Sequence, residues 1–332
     1  MNILLSIVYV FAIFLVLTTL FRATYLKTKK DSIKPYGQLV EVDDSSMHVY
    51  SMGHGEKKIV LLAGLGVPLP SASFSPLMRT LSPRYTVICV EYFGVGFSSE
   101  TSAPRTSENY FQEIRAALDQ SGYSPPYVLM PHSISSVYSE HYAAQYPEEV
   151  EGIICLDGSS TAFYDPVPKI IKHLLKIVSV VQVLGIIPIM AYLTTSRKKL
   201  QASDFTPKES HDAIIFSGFS MNKTVIEQML ESSEHVKQVM DLPFPESVPY
   251  LKIISNETWE TPNKQLKMTP QDYQYQHLAR IGAHAKHEIL EGDHFLFTNN
   301  AEGIAALTDR FLSNSQEPIT SPSRFAAGVF DG

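Results

Sequence analysis

The sequence predicts an α/β fold, a doubly wound and mostly parallel sheet with a helical cap insertion and an N-terminal transmembrane helix. Short apolar runs of strand length recur along the chain, and segments of helical periodicity separate them, which is typical of such a sheet. A long uncharged stretch near the N-terminus predicts the transmembrane helix. A chain of 332 residues, 44% of them hydrophobic, is long enough for one large α/β domain and an insertion.

Residues 1–24 are predicted to form a transmembrane anchor. Ile3 to Phe21 contains no charged residue and is long enough to cross a bilayer as a helix. Basic residues cluster directly after this stretch, so the positive-inside rule predicts a single-pass protein with its domain in the cytoplasm; they are Arg22, Lys27, Lys29, Lys30 and Lys34. A cleaved signal peptide is the alternative. It fits less well because the positive charge follows the apolar stretch and no small-x-small cleavage site is visible.

Residues 34–158 are predicted to form the first part of the sheet domain. It opens with an antiparallel hairpin, in which the turn Asp43-Asp44-Ser45-Ser46 joins strands at Gln38 to Val42 and Met47 to Tyr50. Buried strands and helices then alternate, with strands at Lys58 to Ala63, Tyr85 to Val90, Tyr127 to Pro131 and Gly152 to Leu156, and helices at Ser107 to Gln120 and Ile134 to Tyr146. One face of the first helix is apolar, formed by Tyr110, Phe111, Ile114, Ala117 and Leu118.

Residues 159–246 are predicted to form a helical cap. Lys169, Lys172 and Lys176 share one face of a helix, and the apolar run Ile177 to Ala191 follows it. This run is too short, and too often interrupted by polar residues, Gly and Pro, to be a second membrane span. A cap helix with an apolar face is the preferred interpretation, and contact with the membrane interface is the alternative.

Residues 247–314 are predicted to complete the sheet domain. Strands are expected at Tyr250 to Ile254 and His287 to Leu290, and an amphipathic helix at Ile304 to Leu312 closes the domain. Residues 315–332 are rich in Ser, Pro and Gly, which predicts a flexible tail.

A serine stands where the strand Tyr127 to Pro131 turns into the following helix. A sharp turn at this place lifts the side chain of Ser133 off the sheet and directs helix N–H groups toward it. The alternative is that Ser133 caps an ordinary helix.

Four stretches of the chain are similar to motifs of the α/β-hydrolase superfamily. Pro131-His132-Ser133-Ile134-Ser135 resembles its G-x-S-x-G nucleophile elbow, with both glycines replaced. Ala63-Gly64-Leu65-Gly66 resembles its His-Gly-x-Gly turn, and Gly94-Val95-Gly96-Phe97-Ser98 resembles its Gly-x-Gly-x-Ser loop, with Glu91 where Asp is usual. Gly292-Asp293-His294-Phe295 resembles its late histidine stretch. The resemblance covers roughly Lys34 to Asn314.

The resemblance implies roles for these residues. Ser133 is the expected nucleophile and His294 the base that accepts its proton. The N–H groups of Leu65 and Ile134 are the expected donors of an oxyanion hole. His132 is expected to belong to the scaffold, and His287, inside the last strand, to be structural.

The acid that would orient His294 is where the sequence departs most from the family. The usual position lies in the loop after the seventh strand, where Thr258 falls nearest and Glu257 is the candidate carboxylate. Some family members carry the acid at the end of the sixth strand, where Asp157 stands here. Asp157 is preferred and Glu257 is the alternative; Asp157 could also simply cap the following turn.

The predicted function is hydrolysis of an ester, thioester or amide through an acyl-enzyme, by a membrane-anchored serine hydrolase without a cofactor. The membrane segment and the apolar cap favour a lipophilic acyl substrate. The net charge of −7 argues against nucleic acid as a partner. Cys89 and Cys155 could form a disulfide, but they are expected to be small residues of the core, each inside a predicted strand. No Cys/His cluster has the spacing of a zinc site. The alternatives are a peptidase or acyltransferase of the same fold, and an inactive homologue that acts as a membrane-bound binding protein.

Overall fold

A computed structural model describes residues 3–194, 204–262 and 268–314, and over these residues the chain forms an eight-stranded sheet with helices on both faces. The strand order is β1-β2-β4-β3-β5-β6-β7-β8. The strands are β1 Gln38–Val42, β2 Ser45–Met52, β3 Lys58–Leu62, β4 Thr86–Glu91, β5 Tyr127–Pro131, β6 Val150–Leu156, β7 Tyr250–Ser255 and β8 Lys286–Leu290.

The sheet from β3 to β8 is parallel, and β2 runs antiparallel to both of its neighbours. All residues of β5 are buried, as expected for a strand covered on both faces by helices. The prediction of a doubly wound, mostly parallel sheet is therefore confirmed. Cys89 and Cys155 are buried and free, so the disulfide that the sequence left possible is not formed.

Helices surround this sheet in chain order. They are α1 Ile3–Phe21, α2 Lys27–Ser32, α3 Pro70–Ser73, α4 Ser75–Leu81, α5 Ser107–Gln120, α6 Ser135–Gln145, α7 Lys169–Val181, α8 Ile186–Thr194, α9 Pro207–Ser217, α10 Lys223–Met240, α11 Asn256–Glu260, α12 Pro270–Ile281 and α13 Ala301–Asn314. A π-helical turn, Arg22–Leu26, joins α1 to α2 without a break.

The core lies in two layers, one on each face of the sheet. The layer under α5 and α6 contains the predicted apolar face of α5, from Tyr110 to Leu118, at 0–1% exposure. The layer on the opposite face packs side chains of α4 and α13, such as Leu77 and Ile304, against β3, β5 and β6. These two layers hold the carboxyl ends of the parallel strands at one edge, where the candidate site lies.

Several predicted boundaries differ from the observed ones by one to three residues, and three of them have a local reason. The hairpin turn contains only Asp43 and Asp44, whose φ angles of 48° and 59° suit a tight two-residue turn. The helix after Ser133 begins at Ser135 because Ile134 is its N-cap residue. The last helix begins at Ala301, three residues earlier than predicted, because the side chain of Asn300 accepts a hydrogen bond from the N–H of Gly303.

The segment between β6 and β7 contains α7 to α10 in the described residues. It touches α1, since the hydroxyl of Thr18 donates to the carbonyl of Leu184 at 2.8 Å. One helix of the described ranges, Leu5–Ser32, is long and apolar enough to cross a membrane. The predicted flexible tail, residues 315–332, lies outside the described residues.

Candidate active site

The turn between β5 and α6 holds Ser133 in a conformation that few residues adopt. Its φ is 55°, in the left-handed region, which costs a residue with a side chain about 1–2 kcal/mol. The end of β6 holds the turn in place: the N–H of Ser133 donates to Leu156 at 3.2 Å, and its carbonyl accepts from the N–H of Ser159 at 3.1 Å. Strain of this kind is concentrated at functional sites. Ser133 is therefore not an ordinary helix cap: it lies one residue before the N-cap residue Ile134, on a strained strand-to-helix turn.

The turn after β3 approaches this elbow closely. A Cβ atom on Gly64 would lie 2.5 Å from Cβ of Ser133 and 2.9 Å from Nδ1 of His132. Because real Cβ atoms do not approach this closely, glycine is required at this position for the two turns to touch. The contact brings Leu65, which follows Gly64, next to the serine.

Leu65 follows Gly64 in one of the two turns, and Ile134 follows Ser133 in the other. Backbone hydrogen bonds engage the N–H groups of Ser133, Ser135 and Ser136. Within the described ranges, no hydrogen bond engages the N–H of Leu65 or that of Ile134. Both groups are therefore free to bind an oxygen at the serine.

His294 and Asp157 form a direct pair. Nδ1 of His294 lies 2.7 Å from Oδ2 of Asp157, and the side chain of Asp157 is 1% exposed whereas that of His294 is 43% exposed. Because the carboxylate only accepts, Nδ1 carries the hydrogen and Nε2 remains available as a base. Asp157 has a φ of 45°, which aims its side chain from the end of β6 toward the histidine.

Three further hydrogen bonds stabilise the Asp157 carboxylate. Oδ1 accepts from the N–H of Ser255 at 3.0 Å, and Oδ2 accepts from the hydroxyls of Ser255 at 3.2 Å and Thr258 at 2.6 Å. Burial raises the pKa of the carboxyl, but the hydrogen bonds from His294, Thr258 and Ser255 outweigh it and hold the pKa below its usual value. Asp157 is therefore charged at neutral pH, and its contacts exceed those of a simple turn cap.

The alternative acid, Glu257, lines the same cavity as His294 but forms no hydrogen bond or ion pair with it in the described chain. It is exposed on α11, whereas Thr258 donates to Asp157. The sequence placed Thr258 nearest to the family's usual acid position. That position therefore holds a hydroxyl that donates a hydrogen bond to Asp157, the residue directly after β6.

His132 connects two parts of the site. Its buried ring donates from Nε2 to the carbonyl of His294 at 2.8 Å and accepts at Nδ1 from the N–H of Gly64 at 3.3 Å. Burial and the neighbouring His294 lower the pKa of His132 to about 3, so the ring is neutral. His132 is part of the scaffold, as expected, but it also positions the loop that carries His294.

Ser133 and His294 lie near each other without a direct bond. The ring of His294 is centred 4.6 Å from that of His132, the residue before the serine. No hydrogen bond joins the serine hydroxyl to His294 among the described residues. Such bonds are often long before substrate binds and shorten in the complex.

A cavity of about 310 Å³ opens beside His294, between α11 and α12. Its lining includes Thr258, Thr261, Met268, Tyr273 and Gln274. The buried Oε1 of Gln274 has no hydrogen-bond partner in the described chain, so it could accept a hydrogen bond from a bound molecule.

Glu91 has a supporting role that sequence reasoning missed. Its fully buried carboxylate accepts from the N–H groups of Ser71 at 2.9 Å and Phe97 at 2.7 Å. A Cβ on Gly96 would lie 2.0 Å from Oε2 of Glu91, so glycine makes room for the longer acid in place of the usual Asp. The sequence shows that Glu replaces Asp at this position. It does not show that the carboxylate joins the segments at Ser71 and Phe97.

Two other expectations concern residues away from this centre. His287 lies in β8 and packs against Trp259 and Tyr275, which agrees with a structural role. Over the described residues, no group of three or more His, Cys, Asp or Glu side chains is arranged to hold a metal ion.

Comparison with known proteins assigns the fold. The family described as alpha/beta hydrolase fold matches residues 59–178, which include β3 to β6 and the Ser133 elbow. The Cif epoxide hydrolase from Acinetobacter nosocomialis has a TM-score of 0.65 over 89% of this chain and 95% of that chain, at 15% identity. The chain has the α/β-hydrolase fold, as predicted.

Two curated relatives are similar in sequence. The uncharacterised protein YbdG of Bacillus subtilis (strain 168) is 26% identical over 285 residues, which are 84% of this chain and 86% of that protein. A pimeloyl-acyl-carrier protein methyl ester esterase of Xanthomonas oryzae pv. oryzae is 34% identical over 102 residues. That match spans 31% of this chain and 37% of the esterase.

Replacing Gly64 by Ala should destabilise the protein. The added methyl group forces the turn after β3 and the Ser133 elbow apart, and such overpacking costs about 1–3 kcal/mol. Gly218→Ala is the matched control, because its φ is −69° and its Cβ would meet its neighbours at ordinary distances from 3.4 Å. It should change stability by less than about 0.5 kcal/mol. Urea unfolding of the full-length proteins in detergent measures both, and equal effects would contradict the close approach.

Proposed function

We propose that this protein of the α/β-hydrolase fold is a membrane-anchored serine hydrolase that cleaves an ester, thioester or amide of a lipophilic substrate through an acyl-enzyme. The observation that carries the proposal is the pairing of the exposed His294 with the buried Asp157 at 2.7 Å, next to a serine on a left-handed elbow. A base held in one tautomer near a strained serine is the arrangement that activates a hydroxyl for acyl transfer.

In the proposed reaction, Ser133 Oγ attacks the acyl carbonyl and its proton passes to Nε2 of His294. The negative oxygen formed in this step accepts hydrogen bonds from the N–H groups of Leu65 and Ile134. The charge of Asp157 stabilises the imidazolium, which then protonates the departing alcohol, thiol or amine. Water attacks the acyl-enzyme as His294 removes a proton from it. His294 then returns this proton to Oγ of Ser133 as the acid departs.

The comparisons support hydrolase activity in general. Relatives whose names state an activity are hydrolases, such as the methyl ester esterase, which acts on an ester. The epoxide hydrolase is similar in fold alone at 15% identity. The elbow of this chain carries a serine, which favours an acyl-enzyme over the aspartate-ester chemistry of epoxide hydrolases.

A binding protein without activity is the second candidate. The missing hydrogen bond between Ser133 and His294 and the replaced elbow glycines favour it. A peptidase or acyltransferase would use the same residues with a different leaving group or acceptor. Ser133 reactivity separates the binding protein from all three enzymes.

Membrane attachment is proposed from the exposed apolar surface. Apolar side chains of α1 are mostly exposed, and so are several of α7 and α8, such as Ile170, Ile177 and Leu193. The hydroxyls of Thr18 and Thr19 both donate to the carbonyl of Leu184, so the apolar part of the insertion lies against the anchor. A bilayer around α1 would cover these surfaces together, which favours a lipophilic substrate.

Residues 159–246 are proposed to be the cap of the site. Val225 and Gln228 of α10 face the turn at Leu65 across a narrow cleft that Val95 also lines. The proposed units are therefore the anchor at 1–24, the core at 34–158 and 247–314, and the cap between the two core parts.

Ser133→Ala should lower hydrolysis of short activated esters at least about a hundredfold, because the nucleophile is lost. It should also abolish covalent labelling by a fluorophosphonate probe. Ser139→Ala is the control, since Ser139 is a buried serine of α6 whose hydroxyl has no partner in the described chain. Full turnover in Ser133→Ala would contradict the enzyme, and a wild-type protein that neither labels nor hydrolyses would favour the binding protein.

Asp157→Asn should reduce ester hydrolysis by several orders of magnitude, whereas Glu257→Gln should change it less than about tenfold. The amide favours the wrong tautomer of His294 and removes the counter-charge of the imidazolium; in serine proteases this exchange costs about four orders of magnitude. Steady-state kinetics on proteins with wild-type melting temperatures measure both. The reverse ranking would assign the acid to Glu257.

The anchor should keep the protein in membranes through a carbonate wash, with the domain on the cytoplasmic side. Protease protection of intact cells and inverted vesicles measures the orientation. A processed protein that is soluble outside the cell would contradict the anchor and favour a signal peptide.

A further inference from the structure

A second, polar cleft lies where the N-terminal helix meets the domain, and it adjoins the cleft at Leu65 through Gly94 and Ser220, which line both. Its volume is about 220 Å³. The loop from Gly94 to Glu100 forms one wall, and the segment from Phe216 to Asn222 forms another. Arg22 and Lys30, from the helix, complete the lining.

Helix geometry turns these two cations toward the cleft. Arg22, Leu26 and Lys30 are spaced four residues apart, so they share one face of the continuous helix. Leu26 is 0% exposed, which shows that this face packs on the domain. The guanidinium of Arg22 lies 5.3 Å from the ring centre of Phe219, and the ammonium of Lys30 lies 5.2 Å from the same centre. Two positive charges are therefore held around one aromatic ring.

Neither cation forms a direct ion pair among the described residues. The nearest acid along the helix, Asp31, is engaged by Lys27 at 2.6 Å. Nε of Arg22 is buried and has no hydrogen-bond partner. Glu100 lines the cleft and attracts both cations through space, but among the described residues it forms no ion pair with either within 4.0 Å. Partly buried cations with no counter-charge in direct contact are costly, and a bound anion would relieve that cost.

We propose that this cleft binds a phosphate group. A guanidinium donates two parallel hydrogen bonds to a phosphate, and an ammonium adds a point charge. The cleft lies directly after the apolar stretch that ends at Phe21, which is the level of lipid headgroups when α1 spans the bilayer. The headgroup phosphate of an anionic phospholipid and free inorganic phosphate share this chemistry, and the experiment distinguishes them.

The test measures ligand-induced stabilisation of the full-length chain in an uncharged detergent. Inorganic phosphate and dioctanoyl phosphatidylglycerol are titrated separately, with sodium chloride at equal ionic strength as the salt control. Saturable binding of either ligand should raise the melting temperature of the wild-type protein by roughly 3–5 °C. Stabilisation by both ligands indicates a general phosphate site, and stabilisation by the lipid alone indicates a headgroup site.

The variants Arg22→Gln and Lys30→Gln should each lose the shift relative to their own melting temperature without ligand. Lys29→Gln is the matched control, because Lys29 is exposed on the same helix and lies over Tyr25 instead. It should keep the full shift. Glu100→Gln should keep or increase it, since removal of a nearby negative charge favours an anion.

Three results would overturn the proposal. The first is that neither ligand raises the melting temperature. The second is that Arg22→Gln and Lys30→Gln keep the full rise. The third is that Lys29→Gln loses as much of the rise as these two variants. Ester hydrolysis by Ser133 does not enter this measurement, so the site stands or falls independently of the proposed enzyme.

Discussion

The close approach of two backbone turns is the constraint on which the candidate site depends. The turn after β3 can touch the elbow after β5 only because Gly64 has no side chain. The parallel pairing of these strands, with Leu62 opposite Pro131, brings their ends to the same level. The contact places the free N–H of Leu65 beside Ser133, and His132 extends it to the loop of His294. Strand register, elbow strain and loop position are thus coupled through one glycine.

The carboxylate beside His294 comes from the end of β6, and not from the loop after β7 where the family usually carries its acid. Asp157 reaches the histidine from the end of β6, and β7 and α11 contribute the donors that keep it charged. A buried carboxylate with too few donors would take up a proton, and a protonated acid could not stabilise an imidazolium. The hydroxyl of Thr258 therefore belongs to the same unit as the acid, although the two residues are 101 positions apart.

The N-terminal helix and the insertion form one surface on the outside of the domain. Thr18 and Thr19 bond to Leu184, and Arg22 and Lys30 stand over Phe219. Most exposed apolar side chains of the N-terminal helix belong to α1, which ends at Phe21. Arg22 and Lys30 follow it along the same helix. This sequence of apolar and then basic groups matches the change from hydrocarbon to headgroup in a bilayer.

The sequence by itself determined the alternation of strands and helices, because burial on both faces demands apolar runs of strand length. It also singled out Ser133 and His294, since local motifs carry these positions, and it left Asp157 and Glu257 as the two candidate acids. Only the tertiary structure decided that Asp157, and not Glu257, pairs with the histidine, because both follow strand ends and the choice depends on side-chain direction. The hydrogen bonds that Glu91 accepts from two loops could likewise not be predicted from the sequence, nor could the position of Arg22 and Lys30 at one aromatic ring. Their partners are distant in the chain, and no local pattern records which distant segments will pack together.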